Sequence, residues 1–189
     1  MRTMVFFLEE PSARKMLEGV LPRILPSDIF YHCLVFQGKQ DLEKSLIKRL
    51  RSWQLPDSVF VVIRDQDAGD CMEVKRKLAS LCQPAGKSNV LLIRVACREL
   101  ESFYLGDLRA VEAGLGIHGI SAQQEKRKFR SPDDLGHPSD ELVELTKGVY
   151  QKVAGSRAIA PHLDLFRNKS QSFNVLLDGI RKLAKEIAS

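Results

Sequence analysis

A parallel α/β sheet is the fold this sequence predicts, on three observations. Four apolar runs rich in β-branched and aromatic residues recur through the first half of the chain. Each run is followed by apolar residues at helical spacing, the alternation that builds α/β folds with right-handed crossovers. The run Val59-Phe60-Val61-Val62-Ile63 shows no polar alternation at all, as expected of a strand covered on both faces.

The first run, Met4 to Leu8, ends at Glu9 and Glu10. Pro11 then stands where a first helical turn tolerates a missing N–H. Ala13, Met16, Leu17, Val20, Leu21 and Ile24 predict a helix from Ser12 to Ile24, with Pro22 set to kink or end it. Ile29 to Phe36 is the second run, broken by Gln37-Gly38-Lys39, and Leu42, Leu46, Ile47 and Leu50 mark the next helix. After the third run, Val74, Leu78 and Leu81 place a helix over Met72 to Leu81. Asn89 to Cys97 holds the fourth strand, and helical sequence resumes from Glu99 to Ala113. Residues 1–115 thus read as the α/β domain. Gly114, Gly116 and Gly119 then loosen the chain, and the polar stretch QQEKRKFRSPDDLGHPSD follows. Helical patterns over Asp140 to Val153 and Phe173 to Ile187, with a short one over Ala158 to Leu165, make 116–189 a helical carboxyl-terminal extension packing on the same domain.

The bulk numbers exclude several classes. A chain of 189 residues, 44% hydrophobic and 28% charged, suits one globular domain with a sizeable core. No segment has the length and apolarity of a membrane span. The stretch MRTMVFFLEEPS makes a poor signal peptide, so a cytoplasmic location is expected. Cys33, Cys71, Cys82 and Cys97 form no CxxC pair, and neither zinc nor a disulfide framework is expected. The net charge of +5 is compatible with a polyanionic partner without demanding one. Gly38-Lys39 lacks the rest of a phosphate-binding Walker loop, so control by ATP would require a partner ATPase.

Parallel strands deliver their carboxyl ends to one rim, where open α/β sheets place ligands. Glu9 and Glu10 follow the first strand, Asp65 and Asp67 end the third, and Glu99 and Glu101 follow the fourth. Clustered carboxylates raise one another's pKa unless a cation relieves them. Mg²⁺, with its preference for a few carboxylates and phosphate oxygens, is the natural cation. The alternative is a set of turn aspartates and helix-amino-terminal glutamates serving local structure. Asp107, in LGD, reads as a helix cap.

A glutamate ending strand one, with a DxD ending strand three, resembles the Toprim domain of topoisomerases, bacterial primases and overcoming-lysogenization-defect nucleases. More closely, FLEEPS, FQGK, VIRDQDAGDC, RELESFYLGD and YQKVAGSRAIAPHLDLFRNKSQSF resemble the RloG-like family of small Toprim-related proteins, found beside ATPase genes in restriction and phage-defence islands. The resemblance implies a Toprim-like Rossmannoid fold and a Mg²⁺- or Mn²⁺-dependent nuclease. Glu9 would be the general acid or base, with Glu10 standing where many Toprim domains carry glycine. Asp65 and Asp67 would be the metal pair, with Glu101 and Glu99 as further ligands. Lys152 and Arg157, and less strongly His162, would stabilise charge on the phosphate, the alternative being surface charges near helix ends; Gln151-Lys152 would close one helix and Ser156 cap the next. Apart from the resemblance, the basic block Lys126, Arg127, Lys128 and Arg130 suits either a phosphate backbone, with Phe129 stacking on an exposed base, or a solvated loop. The partners so implied are nucleic acid, DNA first, and a separately encoded ABC/AAA-type ATPase; homo-oligomerisation stays open. Two other readings also stay open: a non-catalytic nucleic-acid-binding or ATPase-docking module with a structural metal, and phosphoryl transfer on another phosphoester.

Overall fold

The four apolar runs form strands β1 (Thr3–Leu8), β2 (Phe30–Val35), β3 (Ser58–Asp65) and β4 (Leu91–Ala96) of a single parallel sheet in the order β2-β1-β3-β4. The structure, a computed structural model, describes residues 1–188. Leu8 lies beside both Val35 and Ile63, and Asp65 lies beside Ala96. The connections after all four strands therefore leave the sheet at one rim.

The pleat sorts the strand side chains between two cores. Met4, Phe6, Leu8, Val59, Val61 and Ile63 face the larger core. Its other walls are α1 (Pro11–Val20), α4 (Glu101–Leu105), α5 (Leu108–Leu115), α8 (Lys152–Ile159) and α9 (Gln171–Ala188). Val5, Phe7, Phe60 and Val62 face the smaller core, closed by α2 (Lys39–Ser52) and α3 (Cys71–Cys82). Helices on both faces explain why β1 and β3 tolerate unbroken apolar sequence.

Three helices are shorter than their periodicity predicts, each for a local reason. The first ends at Val20, and Leu21–Arg23 tightens into a 3₁₀ turn around Pro22, which has no N–H to donate. The helix expected over Glu99 to Ala113 breaks at Gly106, where an added Cβ would lie 2.0 Å from Asn168 Oδ1. Asp107 then caps α5, accepting from Ala110 N at 3.1 Å. The helix expected over Asp140 to Val153 is instead α7 (Pro138–Leu145) and, after a turn, α8. Lys147 (φ 51°) and Gly148 (φ 80°) turn left-handed there, and Gly148 N returns to Val143 O at 2.8 Å. Lys152 consequently opens α8 instead of closing a helix, and Ser156 lies inside α8, its hydroxyl donating to Lys152 O.

The basic block forms a single helical turn, α6 (Arg127–Arg130). Phe129 is fully buried there, so it offers no face to a base, contrary to expectation. The carboxyl-terminal residues share the larger core with β1 and β3. Asn168 clasps the α4–α5 junction: its Nδ2 donates to Phe103 O at 2.9 Å, and Lys169 N donates to Gly106 O at 2.9 Å.

Candidate active site at the carboxyl rim

Strand parity decides where each acid goes. Leu8, Val61 and Ile63 face the larger core, so Glu10 and Asp65, each two residues further, turn toward α8. Phe7 and Val62 face the smaller core, so Glu9 and Arg64 turn toward α2. The polar contacts follow this division. Glu10 Oε2 pairs with Lys152 Nζ at 2.8 Å, whereas Glu9 Oε2 lies 3.8 Å from Arg64 Nε.

On the α8 side, three carboxylates face one ammonium. Glu101, at the start of α4, is wholly buried, and its Oε1 accepts from the Tyr150 hydroxyl at 2.8 Å. Its other oxygen, Oε2, is buried without a hydrogen-bond partner among the described residues, as is the Tyr104 hydroxyl. Asp65 keeps a partial opening to solvent, yet desolvation by the surrounding protein pushes its carboxyl well above the usual range. The charges of Glu10, Glu101 and Glu9 add to that rise, against a smaller pull from Lys152. Burial likewise raises Glu101, partly offset by Lys152 and Tyr150. Burial alone would lower Lys152; its hydrogen bond to Glu10 and the charges of Glu101 and Asp65 overturn that and hold it firmly protonated.

On the α2 side the charges balance. Arg64, 7% exposed, reaches Glu43 Oε1 at 3.4 Å and Asp67 Oδ2 at 3.8 Å besides Glu9. Lys39 Nζ holds Asp67 at 2.9 Å, and Lys77 Nζ holds Glu43 at 2.6 Å. Glu9 joins the two sides, since its Oε2 also accepts from Asp65 N at 3.2 Å. Burial raises the Glu9 carboxyl, the Asp65 amide bond opposes this, and Asp67 adds to it.

The structure thus gathers Glu10, Asp65, Glu101 and Lys152, with Glu9 at their edge. It separates Asp67 from Asp65: at φ 57°, Asp67 turns to Lys39 and Arg64, so the two do not form one ligand pair. Glu99 stays outside the cluster, accepting from Ser139 N at 2.7 Å in the first turn of α7. Arg157 and His162 are exposed on and just after α8, and Arg157 has no ion pair among the described residues. Lys126, Arg127 and Arg130 are exposed at α6, while Lys128 pairs with Glu141. Sequence reasoning missed Arg64, Glu43, Tyr104 and Tyr150. A charged residue inside VVIRD was the available signal for Arg64; the tyrosines gave none, being indistinguishable from core aromatics.

The donor set on the α8 side fits a hard divalent cation in its chemistry. Glu10, Asp65 and Glu101 offer carboxylate oxygens, and Glu101 Oε2 supplies a buried acceptor that has no donor among the described residues. Among the described residues, no group of three Asp, Glu, His or Cys side chains is placed so that it could hold a metal ion as it stands. The carboxylates surround the Lys152 ammonium instead.

No helix among the described residues is long and apolar enough to cross a membrane. Neither the curated proteins nor the solved structures gave a match. A family model described as "Domain of unknown function (DUF4276)" matches residues 8–181, a span running from the end of β1 well into α9 and enclosing every rim residue named above. The chain belongs to the DUF4276 family.

Proposed function

We propose that the α8 side of the rim is the active site of a Mg²⁺- or Mn²⁺-dependent nuclease, a Toprim-type hydrolase of phosphodiesters in DNA or RNA. The observation that carries the reading is a set of three carboxylates, Glu10, Asp65 and Glu101, around a single ammonium, Lys152. A carboxyl such as that of Asp65, raised by its surroundings and partly open to solvent, is of the kind that concentrates at functional sites. Asp65 and Glu101, with Glu10, would hold the cation, which when bound supplies Lewis-acid polarisation of a phosphoryl oxygen. Lys152 would leave Glu10 for a nonbridging oxygen and stabilise the charge that develops there. Glu9, held in place by the Asp65 amide and raised by burial, would take or give the proton. The setting we propose is cytoplasmic, within the RloG-like pattern of small Toprim proteins that work beside an ATPase in phage defence.

The test is incubation with single-stranded, nicked and supercoiled DNA and with RNA, in Mg²⁺ or Mn²⁺. Cleavage should fall by about 10²–10³-fold in Lys152→Ala. Cleavage unchanged in that variant would remove this reading. The ion pair between Lys152 and Glu10 favours a second reading, a non-catalytic module that binds nucleic acid or docks on an ATPase. That module would form its complex while cutting nothing, even with the ATPase present.

A further inference from the structure

The rim also holds a cleft that neither charge cluster fills. A cavity of about 420 Å³ opens between the connections that follow β3 and β4, lined by Asp67, Ala68, Arg98, Glu99, Gly136 and His137. That volume lies within the range of small-ligand sites and exceeds what a lone phosphate needs. Both acids on its wall are engaged elsewhere, Asp67 with Lys39 and Glu99 with Ser139 N. Arg98 is half-buried, and its guanidinium has no ion pair among the described residues. An arginine kept beside two occupied carboxylates offers its planar donor fork to an incoming anion.

The backbone holds Arg98 in this place against its own preference. Its φ is 61° and that of Asp67 is 57°, a region that L side chains rarely adopt. Two hydrogen bonds tie the turns together: Asp67 N donates to Arg98 O at 2.9 Å, and Arg98 N donates to the Gln66 side chain, at Oε1, at 3.1 Å. The cleft wall is therefore preset, and Asp67 links it to the end of β3 two residues past Asp65.

We infer that this cleft seats a phosphate of a nucleic-acid strand, gripped by Arg98 with His137 on the same wall. The strand would run along the rim from Asp65 past Asp67. This inference rests on the phosphodiester reading of the neighbouring cluster and adds where its substrate is held.

The experiment is fluorescence anisotropy of a short labelled single strand, DNA or RNA, at several salt concentrations in EDTA, which stops metal-dependent cleavage. Arg98→Gly removes the guanidinium and suits a positive φ, so the variant should melt no lower than the parent. Its affinity should drop about tenfold. Its salt slope should shrink by about 0.7, the loss of one single-strand phosphate contact. Arg109→Ala, an exposed arginine on α5, should change neither. Inorganic phosphate at millimolar concentration should leave the bound strand in place. An unchanged slope in Arg98→Gly, no strand binding by the parent, or ready displacement by inorganic phosphate would each overturn the inference. Cleavage is scored separately in Mg²⁺. Arg98-dependent binding without cleavage would sink the nuclease reading and keep the cleft, and cleavage with an unaltered slope would do the reverse.

Discussion

The two sides of the rim carry similar residues and opposite logic. Toward α2, Glu9, Glu43 and Asp67 meet Arg64, Lys39 and Lys77, and the charge cancels, although Arg64 Nε is buried without a hydrogen bond among the described residues. Toward α8, Glu10, Asp65 and Glu101 share one cation among the described residues, Lys152, and Glu101 Oε2 is buried without a hydrogen-bond partner among them. A charge-balanced network calls for no added ion. An unbalanced one costs stability for as long as nothing arrives to complete it. The difference teaches that an acid-rich rim should be read by compensation, side by side, and not by counting its acids.

The strongest way to break this contrast is a pair of substitutions two residues apart. Asp65→Asn should lower phosphodiester cleavage by about 10³-fold or more, whereas Asp67→Asn should cost less than about tenfold. Equal losses, measured as kcat/KM on one oligonucleotide, would show that the DxD acts as a unit after all. Arg64→Met tests the balanced side through stability. It leaves Glu43, Glu9 and Asp67 without their shared guanidinium and should cost about 3 kcal/mol in urea unfolding. Tyr150→Phe probes how Glu101 is oriented. It strips the hydrogen bond to Oε1 and should reduce cleavage about tenfold with little change in substrate affinity.

The smallest effect concerns pH and carries its own sign. Asp65, Glu9 and Glu101 are all raised in the fold, so the folded chain holds their protons more tightly than the unfolded one. Their contribution to stability is present on the acid side and is lost as pH rises through their folded values. Asp65→Asn cannot ionise and should stabilise the protein by about 0.5–2 kcal/mol at neutral pH. That gain should shrink toward about pH 4, near the unfolded aspartate value. Denaturation midpoints at several pH values measure it, and a gain that grows with acid would refute the burial account of Asp65.

Much of the sheet was legible because its signal is local. Runs such as Val59 to Ile63 can be little other than covered strands, and the register that follows puts the acids on one rim. Strand parity also stood in the sequence: Glu9 and Glu10 must diverge if Phe7 and Leu8 do, and so must Arg64 and Asp65. What hid was tertiary. Nothing in SFYLGD announces that Asn168 will press against Gly106 and cut the helix there. Nor does apolar spacing reveal that the turn at Lys147-Gly148 makes Lys152 the opening residue of α8 and brings its ammonium to Glu10. Tyr150 and Tyr104 lie among core aromatics, and only three-dimensional proximity gives their hydroxyls a role.

The clasp that Asn168 forms on the α4–α5 junction has a practical consequence. Glu101 is anchored from a point more than sixty residues downstream, so halves divided near Gly116 would each lack part of the same core. Neither piece should fold alone, yet mixed together they have reason to reassemble. Recovery of cleavage in such a two-piece mixture would make the protein a complementation reporter, switched on by whatever brings its fragments into one place.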